Sequence, residues 1–149
     1  MKRLLLPALA LLLLATGCSD GVEWSGRERE NGEYLLAALQ FTNEAATIAN
    51  SIETTADLDA KREPLLRALR AAQWNAAQVD DQVLDKLHPA LYGRFRIAYR
   101  DALGDMIEAY ERNDIDAAER AAHRLSQFIR WYQAERHTFR WWPDATRRN

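Results

Sequence analysis

Apolar residues recur along the middle of the chain at steps of four and three, which alternate almost throughout. They are Leu65, Leu69, Ala72, Ala76, Val79, Val83 and Leu87. This spacing places all of them on one face of an α-helix, in the kind of seam along which helices pack in a bundle. Such a seam needs other helices to cover it. The pattern therefore predicts an all-α protein.

Three further segments carry helical stripes of the same kind. The first runs from about Glu33 to Glu53, the third follows the turn at His88-Pro89, and the fourth runs from Asn113-Asp114 to about Arg140. Their predicted inward residues are Leu35, Leu39, Ala46, Ala49 and Ile52; Leu91, Phe95, Ala98, Ala102, Met106 and Ala109; and Ile115, Ala118, Ala122, Leu125, Ile129 and Tyr132. Because short turns join the segments, we expect an antiparallel up-down four-helix bundle over residues 33–142, with a C-terminal tail at 143–149.

The N-terminal segment has the layout of an export signal. Two basic residues precede an apolar run from Leu4 to Ala15, and small residues then lead into Cys18. The run holds twelve residues, whereas a membrane-spanning helix needs about 20. The segment is therefore predicted to be a signal peptide over residues 1–17 rather than a transmembrane helix.

The sequence Ala15-Thr16-Gly17-Cys18 resembles the lipobox of bacterial lipoproteins, with Ala15 at the position where leucine is commonest in that family. The resemblance covers this segment alone. It implies that the signal is removed, that the Cys18 sulfur receives a diacylglyceryl group and that the new amine is acylated. Ser19 follows the pattern of lipoproteins sorted to the outer membrane in enteric bacteria. The alternative is an ordinary secretory signal whose cleavage site happens to end in cysteine.

Cys18 is the only cysteine of the 149-residue chain. Disulfides, CxxCH haem attachment and cysteine zinc sites are therefore excluded, and stability must come from packing. Without Lys2 and Arg3 the formal charge of −2 becomes −4. This mild acidic balance gives no reason to expect nucleic acid as a partner. Residues 18–32 are rich in Gly, Ser, Asn and charge, and are predicted to form a flexible linker of about 20 Å behind the lipidated cysteine.

The titratable residues give no pattern typical of a catalytic or metal site. The histidines His88, His123 and His137 lack metal-ligand spacing, and His88 is most simply a turn residue. The acidic residues alternate with arginines, as on a solvated, salt-bridged helix face; they are Asp80, Asp81, Asp85, Asp101, Asp105 and Glu108. We expect no enzymatic activity, no metal and no cofactor.

The last predicted hairpin resembles that of periplasmic four-helix-bundle cytochromes of the b type, in its short acidic turn, its alanine-rich helix and Tyr132. In that family the haem-ligating histidine directly follows the tyrosine, where this chain has Gln133. The family's methionine ligand on the first helix is also missing, although Met106 and His123 stand at similar heights on the third and fourth helices. The resemblance implies shared architecture, with a haem or small-ligand carrier as an alternative function.

The segment from Phe128 to Trp142 is the most distinctive of the chain. Six of its fifteen residues are aromatic, and three are arginines. These residue types dominate binding hot spots, but they also seal the ends of helical bundles. Both interpretations stay open. The candidate partner-binding residues, expected at the rim, are Arg130, Trp131, Arg140, Trp141 and Trp142.

These observations favour a non-enzymatic binding module that is held by the lipid on Cys18 in the bacterial envelope. We expect it in the outer membrane, facing the periplasm. The expected partner is a protein or envelope component, in an accessory or immunity-type role. A structural spacer is the third hypothesis.

Overall fold

The computed structural model describes residues 22–142, and every regular element in this range is helical. The lipidation site Cys18, the signal peptide at 1–17 and the tail at 143–149 lie outside the described residues. The helices are α1 (Gly26–Asn50), α2 (Thr55–Gln78), α3 (Asp81–Leu87), α4 (Leu91–Arg94), α5 (Asp101–Glu111) and α6 (Ile115–Glu135). A π-helical segment, Phe95–Arg100, joins α4 to α5, and a 3₁₀ turn, Arg136–Thr138, follows α6. The prediction of an all-α protein is confirmed.

Helix α1 begins earlier than the sequence pattern predicts. The Ser25 hydroxyl accepts a hydrogen bond from the Glu28 amide, 3.2 Å away, and the Glu28 carboxylate accepts one from the Ser25 amide at 2.8 Å. This reciprocal capping box satisfies two amide groups that a helix start otherwise leaves unpaired. The flexible linker predicted over residues 18–32 is therefore wrong from Gly26 onwards, because these polar residues belong to a capped helix.

The long seam of the second predicted helix is divided between α2 and α3. All seven seam residues are buried, as predicted, although the helix ends at Gln78 and a new one begins after Asp80. The break is stabilised by the Arg100 guanidinium, which donates to the carbonyl oxygens of Ala76 at 2.9 Å and of Val79 at 2.5 Å. A cationic donor at the C-terminal end of a helix satisfies its last carbonyl groups.

The π-helical segment changes which side chains of the third predicted helix face inward. Ala98 was expected in the core but is only half-buried, while Tyr99 is fully buried. An extra residue per turn rotates the side chains that follow, so the 3.6-residue period fails here. The Tyr99 hydroxyl lies 2.7 Å from that of Thr42, which itself donates to the Ala38 carbonyl oxygen. Burial raises the pKa of Tyr99, so this hydroxyl stays protonated.

The helices pack mainly as neighbours in sequence. Helix α1 lies along α2, α5 lies along α6, and α2 contacts α5, while the π-helical segment contacts α6. One apolar cluster runs through all of them. Its largest buried side chains are aromatic, namely Trp142, Tyr99, Tyr110, Tyr132, Phe95, Phe128 and Phe139.

The end of the molecule where α1 begins is closed by the C-terminal segment. Helix α6 ends at Glu135, not near Arg140 as expected, and the chain then brings Trp142 onto α1. The Trp142 ring occupies the space above Gly32, packs edge-on to Trp24 with ring centroids 5.8 Å apart, and is fully buried. Its indole N–H donates to the Glu33 carboxylate at 3.2 Å.

Glycine-to-alanine substitutions at two helical positions should change stability in opposite directions. In G32A the new Cβ would lie 2.3 Å from the Trp142 ring, so we expect the free energy of unfolding to fall by about 1–3 kcal/mol, as in overpacked cores. In G93A the new Cβ meets no atom within 4 Å. The higher helix propensity of alanine should therefore raise the free energy of unfolding by about 0.5–1 kcal/mol. Urea unfolding monitored by circular dichroism measures both. A G32A protein as stable as G93A would contradict the position of Trp142.

Candidate binding surface

The two C-terminal tryptophans are core residues. Trp142 is 0 % exposed and Trp141 7 %, so the prediction that this pair lies at the rim is wrong. The expectation assumed that α6 continues to about Arg140, on which not all six aromatic side chains of the segment could face the core. Instead, the 3₁₀ turn redirects the chain, and the Trp141 indole N–H donates to the Arg136 carbonyl oxygen at 3.1 Å. The alternative interpretation, in which these rings seal the end of the domain, fits their burial.

The other three candidates remain accessible at the same end of the molecule. Arg130 and Arg140 are exposed, and Trp131 is half-buried. The Arg94 guanidinium, from α4, lies over the Trp131 ring at 4.7 Å from its centroid, in a cation–π contact. We call Arg94, Arg130, Trp131 and Arg140 the arginine–tryptophan surface. The sequence pattern did not single out Arg94, because its stacking partner is on another helix.

A second cationic contact holds the start of the described chain. The Lys86 ammonium donates to both carboxylate oxygens of Glu28, at 2.9 and 3.0 Å, and to the Glu23 carbonyl oxygen. It also lies 4.7 Å from the centroid of the buried Trp24 ring. The Lys86 hydrogen bonds, together with those from Ser25, lower the pKa of Glu28 to about 2. Trp24 and the first turn of α1 are thereby fixed against α3.

An exposed aromatic pair lies on the α1–α2 face. Trp74 is 59 % exposed, and its ring contacts Tyr34 edge-on with centroids 5.9 Å apart. Sequence reasoning missed this residue, although a signal was present. Trp74 falls between Ala72 and Ala76 of the buried seam and therefore off the inward face. A tryptophan at an outward helical position is a large apolar surface left in water.

The histidines do not form a site. His88 is the turn residue that its position predicts, since its Nδ1 accepts from the Ala90 amide at 3.1 Å. Met106 is fully buried on α5 while His123 is exposed on α6 and contacts Gln127, so the two do not share a pocket as haem ligands would. Among residues 22–142, no group of three or more His, Asp or Glu side chains is placed to hold a metal ion.

The chain matches no model of a protein family, no curated protein and no solved structure. Across the described part of the chain, no helix combines the length and apolar character needed to cross a membrane.

Three of the six acidic residues expected on a salt-bridged face form surface ion pairs. Asp81 pairs with Arg100, Asp105 with Arg124, and Glu108 with Arg112. The open depression of about 880 Å³ beside the second pair is lined by charged side chains of α5 and α6. They are Asp105, Asp116, Glu119, Arg120, His123 and Arg124. The lining contains no serine, threonine or cysteine nucleophile.

The pairing of Glu28 with Lys86 should make stability depend on acidic pH. Because folding lowers the Glu28 pKa from 4.5 to about 2, the stabilisation is complete above pH 4.5 and is lost as the pH falls towards 2. Between pH 4.5 and 2, urea unfolding should show a smaller fall in the free energy of unfolding for E28Q than for the wild type. K86Q should reduce this fall as well, since Lys86 is the main cause of the lowered Glu28 pKa. An unchanged pH dependence in E28Q would show that the ion pair does not form in solution.

Proposed function

We propose that this protein is a bacterial lipoprotein, anchored in the outer membrane by lipid on Cys18, whose periplasmic domain binds another protein without catalysing a reaction. In this proposal the domain is an antiparallel up-down four-helix bundle, built from α1, α2 with α3, α4 to α5, and α6. The packing of α1 on α2 and of α5 on α6 supports that arrangement. The lipobox resemblance supports the anchor.

The observation that carries the binding role is the exposed indole of Trp74. Tryptophan is enriched in interface hot spots because a rigid ring buries a large apolar area at little entropic cost. Trp74 projects from a long helix, and the neighbouring Tyr34 ring restricts its motion. A preorganised aromatic side chain loses less freedom on binding than one on a mobile loop.

The chemistry of the remaining surface favours binding over catalysis. The carboxylates in the charged depression are offset by arginines, and Asp105 is ion-paired. The groups whose pKa values are strongly shifted are Glu28, which is ion-paired with Lys86, and tyrosines buried in the core. Such groups stabilise the fold rather than activate a substrate. An accessory or immunity-type role, in which one surface captures one protein, fits a domain of this kind.

The anchor is tested by fractionating cells that express tagged variants. The wild type should be found in the membrane fraction, and C18A should lose the lipid and shift to the soluble fraction, because no other residue of the signal can be acylated in this way. S19A, which keeps the cysteine, is the matched control and should stay in the membrane fraction. A C18A protein that stays wholly membrane-bound would rule out anchoring by this cysteine.

The binding role is tested by site-specific crosslinking in living cells. With p-benzoylphenylalanine in place of Trp74, irradiation should give a discrete adduct with one partner. The same probe in place of Ile97, which is 67 % exposed on the π-helical segment, should not. W74A, introduced together with a probe at the neighbouring Tyr34, should abolish the Tyr34 adduct while leaving the stability of the domain within about 0.5 kcal/mol. Equal crosslinking from positions 74 and 97 would contradict a specific site.

A further inference from the structure

We propose that the arginine–tryptophan surface binds the anionic phospholipid headgroups of the membrane that carries the anchor. This end of the domain would then rest on the bilayer, and the domain would have a fixed orientation. The inference rests on the anchoring at Cys18 proposed above. Its own test, described below, uses unlipidated protein and therefore does not depend on that anchor.

The short connection between Cys18 and the folded domain is the first argument. Trp24 is buried and held by Lys86, and it follows Cys18 by only six residues in the sequence. Even when fully extended, six residues span no more than about 20 Å. The tether is thus shorter than the linker expected over residues 18–32, and it leaves the domain less freedom to move away from the headgroups. Whichever surface surrounds Trp24 must stay close to the membrane.

A continuous row of rings places the arginine–tryptophan surface at that same end. Trp24 contacts Trp142, Trp142 contacts Trp141, Trp141 contacts Phe139, and Phe139 contacts Trp131, with centroid distances between 5.6 and 6.0 Å. Packed aromatic rings do not move independently. The point where the anchor enters the fold and the exposed arginines therefore belong to one rigid unit.

The segment that carries most of the arginine–tryptophan surface and the segment around the turn between α5 and α6 differ in charge, in the sense that an anionic membrane requires. From Arg130 to Arg140 the chain carries three arginines and one acid, Glu135, and Arg94 adds a further positive charge. The Glu28 carboxylate nearby is neutralised by Lys86. By contrast, residues 101–119 carry one arginine, Arg112, against seven acids, which are Asp101, Asp105, Glu108, Glu111, Asp114, Asp116 and Glu119. Arginines outside this segment pair with two of the acids, Arg70 with Glu111 and Arg124 with Asp105, so five acids are left against Arg112. An anionic surface attracts the first segment and repels the second.

The residue types match the headgroup layer as well. Arginine binds phosphate through paired N–H groups, and tryptophan favours the boundary between headgroups and acyl chains. Trp131 is half-buried and lies under Arg94, so its accessible edge and the guanidinium meet the same surface. Since the anchor keeps the domain at a high effective concentration next to the lipid, even a weak contact of this kind would persist.

The test uses the chain from residue 18 to 149 with C18S, which contains every described residue and carries no lipid. It is sedimented with vesicles of phosphatidylethanolamine and phosphatidylglycerol, and in parallel with vesicles of phosphatidylcholine. We expect binding to the anionic vesicles only, weakened by salt. The triple variant R94Q/R130Q/R140Q should lose roughly a hundredfold in affinity, at roughly fivefold for each arginine near an anionic surface.

The matched control removes the same charge elsewhere. Arg67, Arg112 and Arg120 are exposed on α2, at the end of α5 and on α6, and R67Q/R112Q/R120Q should bind the anionic vesicles as the wild type does. Equal losses in the two triple variants would show that net charge, not this surface, governs binding, and would overturn the proposal. A failure to bind anionic vesicles at low salt would also overturn the proposal. An acidic protein would then be the expected partner of the arginine–tryptophan surface.

Orientation is measured in the lipidated protein reconstituted into vesicles. Ala134 and Ala60 are exposed helical alanines, one turn after Arg130 and near the start of α2 respectively. Because lipid occupies Cys18, A134C and A60C each provide a single thiol for a spin label. The label at position 134 should be protected from an aqueous relaxation reagent, and the label at position 60 should not. Equal accessibility would contradict the proposed orientation even if the anchor itself is confirmed.

Discussion

The contact of Trp142 with Gly32 is the interaction on which the closed end of this domain depends. A side chain of any size at position 32 would overlap the indole ring, so only glycine admits it. The buried ring then brings the segment after α6 against the start of α1, and Trp24 packs on its other side. Two stretches of chain that are far apart in sequence therefore meet in one apolar layer. The start of the described chain and the segment from Arg130 to Arg140 become neighbours through this layer.

The helical core could be read from the sequence because burial follows from periodicity. The seam from Leu65 to Leu87 is buried throughout, although the helix breaks at Val79. The break does not change which residues face inward, because α2 and α3 both pack on the core. Periodicity fails where the backbone leaves the 3.6-residue repeat. The π-helical turn puts Tyr99, not Ala98, into the core, and no apolar pattern encodes the buried hydroxyl pair that it forms with Thr42.

The candidate site was also predicted only in part, because the backbone leaves the regular helix earlier than the sequence pattern indicates. Arg130, Trp131 and Arg140 stand at the surface where a continued helix would also leave them, but Trp141 and Trp142 are buried because α6 ends early. Where a helix ends depends on tertiary contacts that single-sequence patterns do not contain. The exposed indole of α2 is the opposite case. Its outward position could be predicted from the seam, because Trp74 falls between the buried Ala72 and Ala76.

The positions of the anchor proposed at Cys18 and of Trp74 together limit what a partner can be. Trp74 is four residues from the end of α2 at Gln78, which at 1.5 Å per residue is about 6 Å along the helix axis. That end of α2 leads into α3, where Lys86 fixes Trp24. The exposed indole is thus near the end where Trp24 packs, not near the turn between α5 and α6. If Cys18 carries lipid as we propose, a partner that reaches Trp74 must itself approach the bilayer surface, which favours another envelope protein over a freely diffusing one.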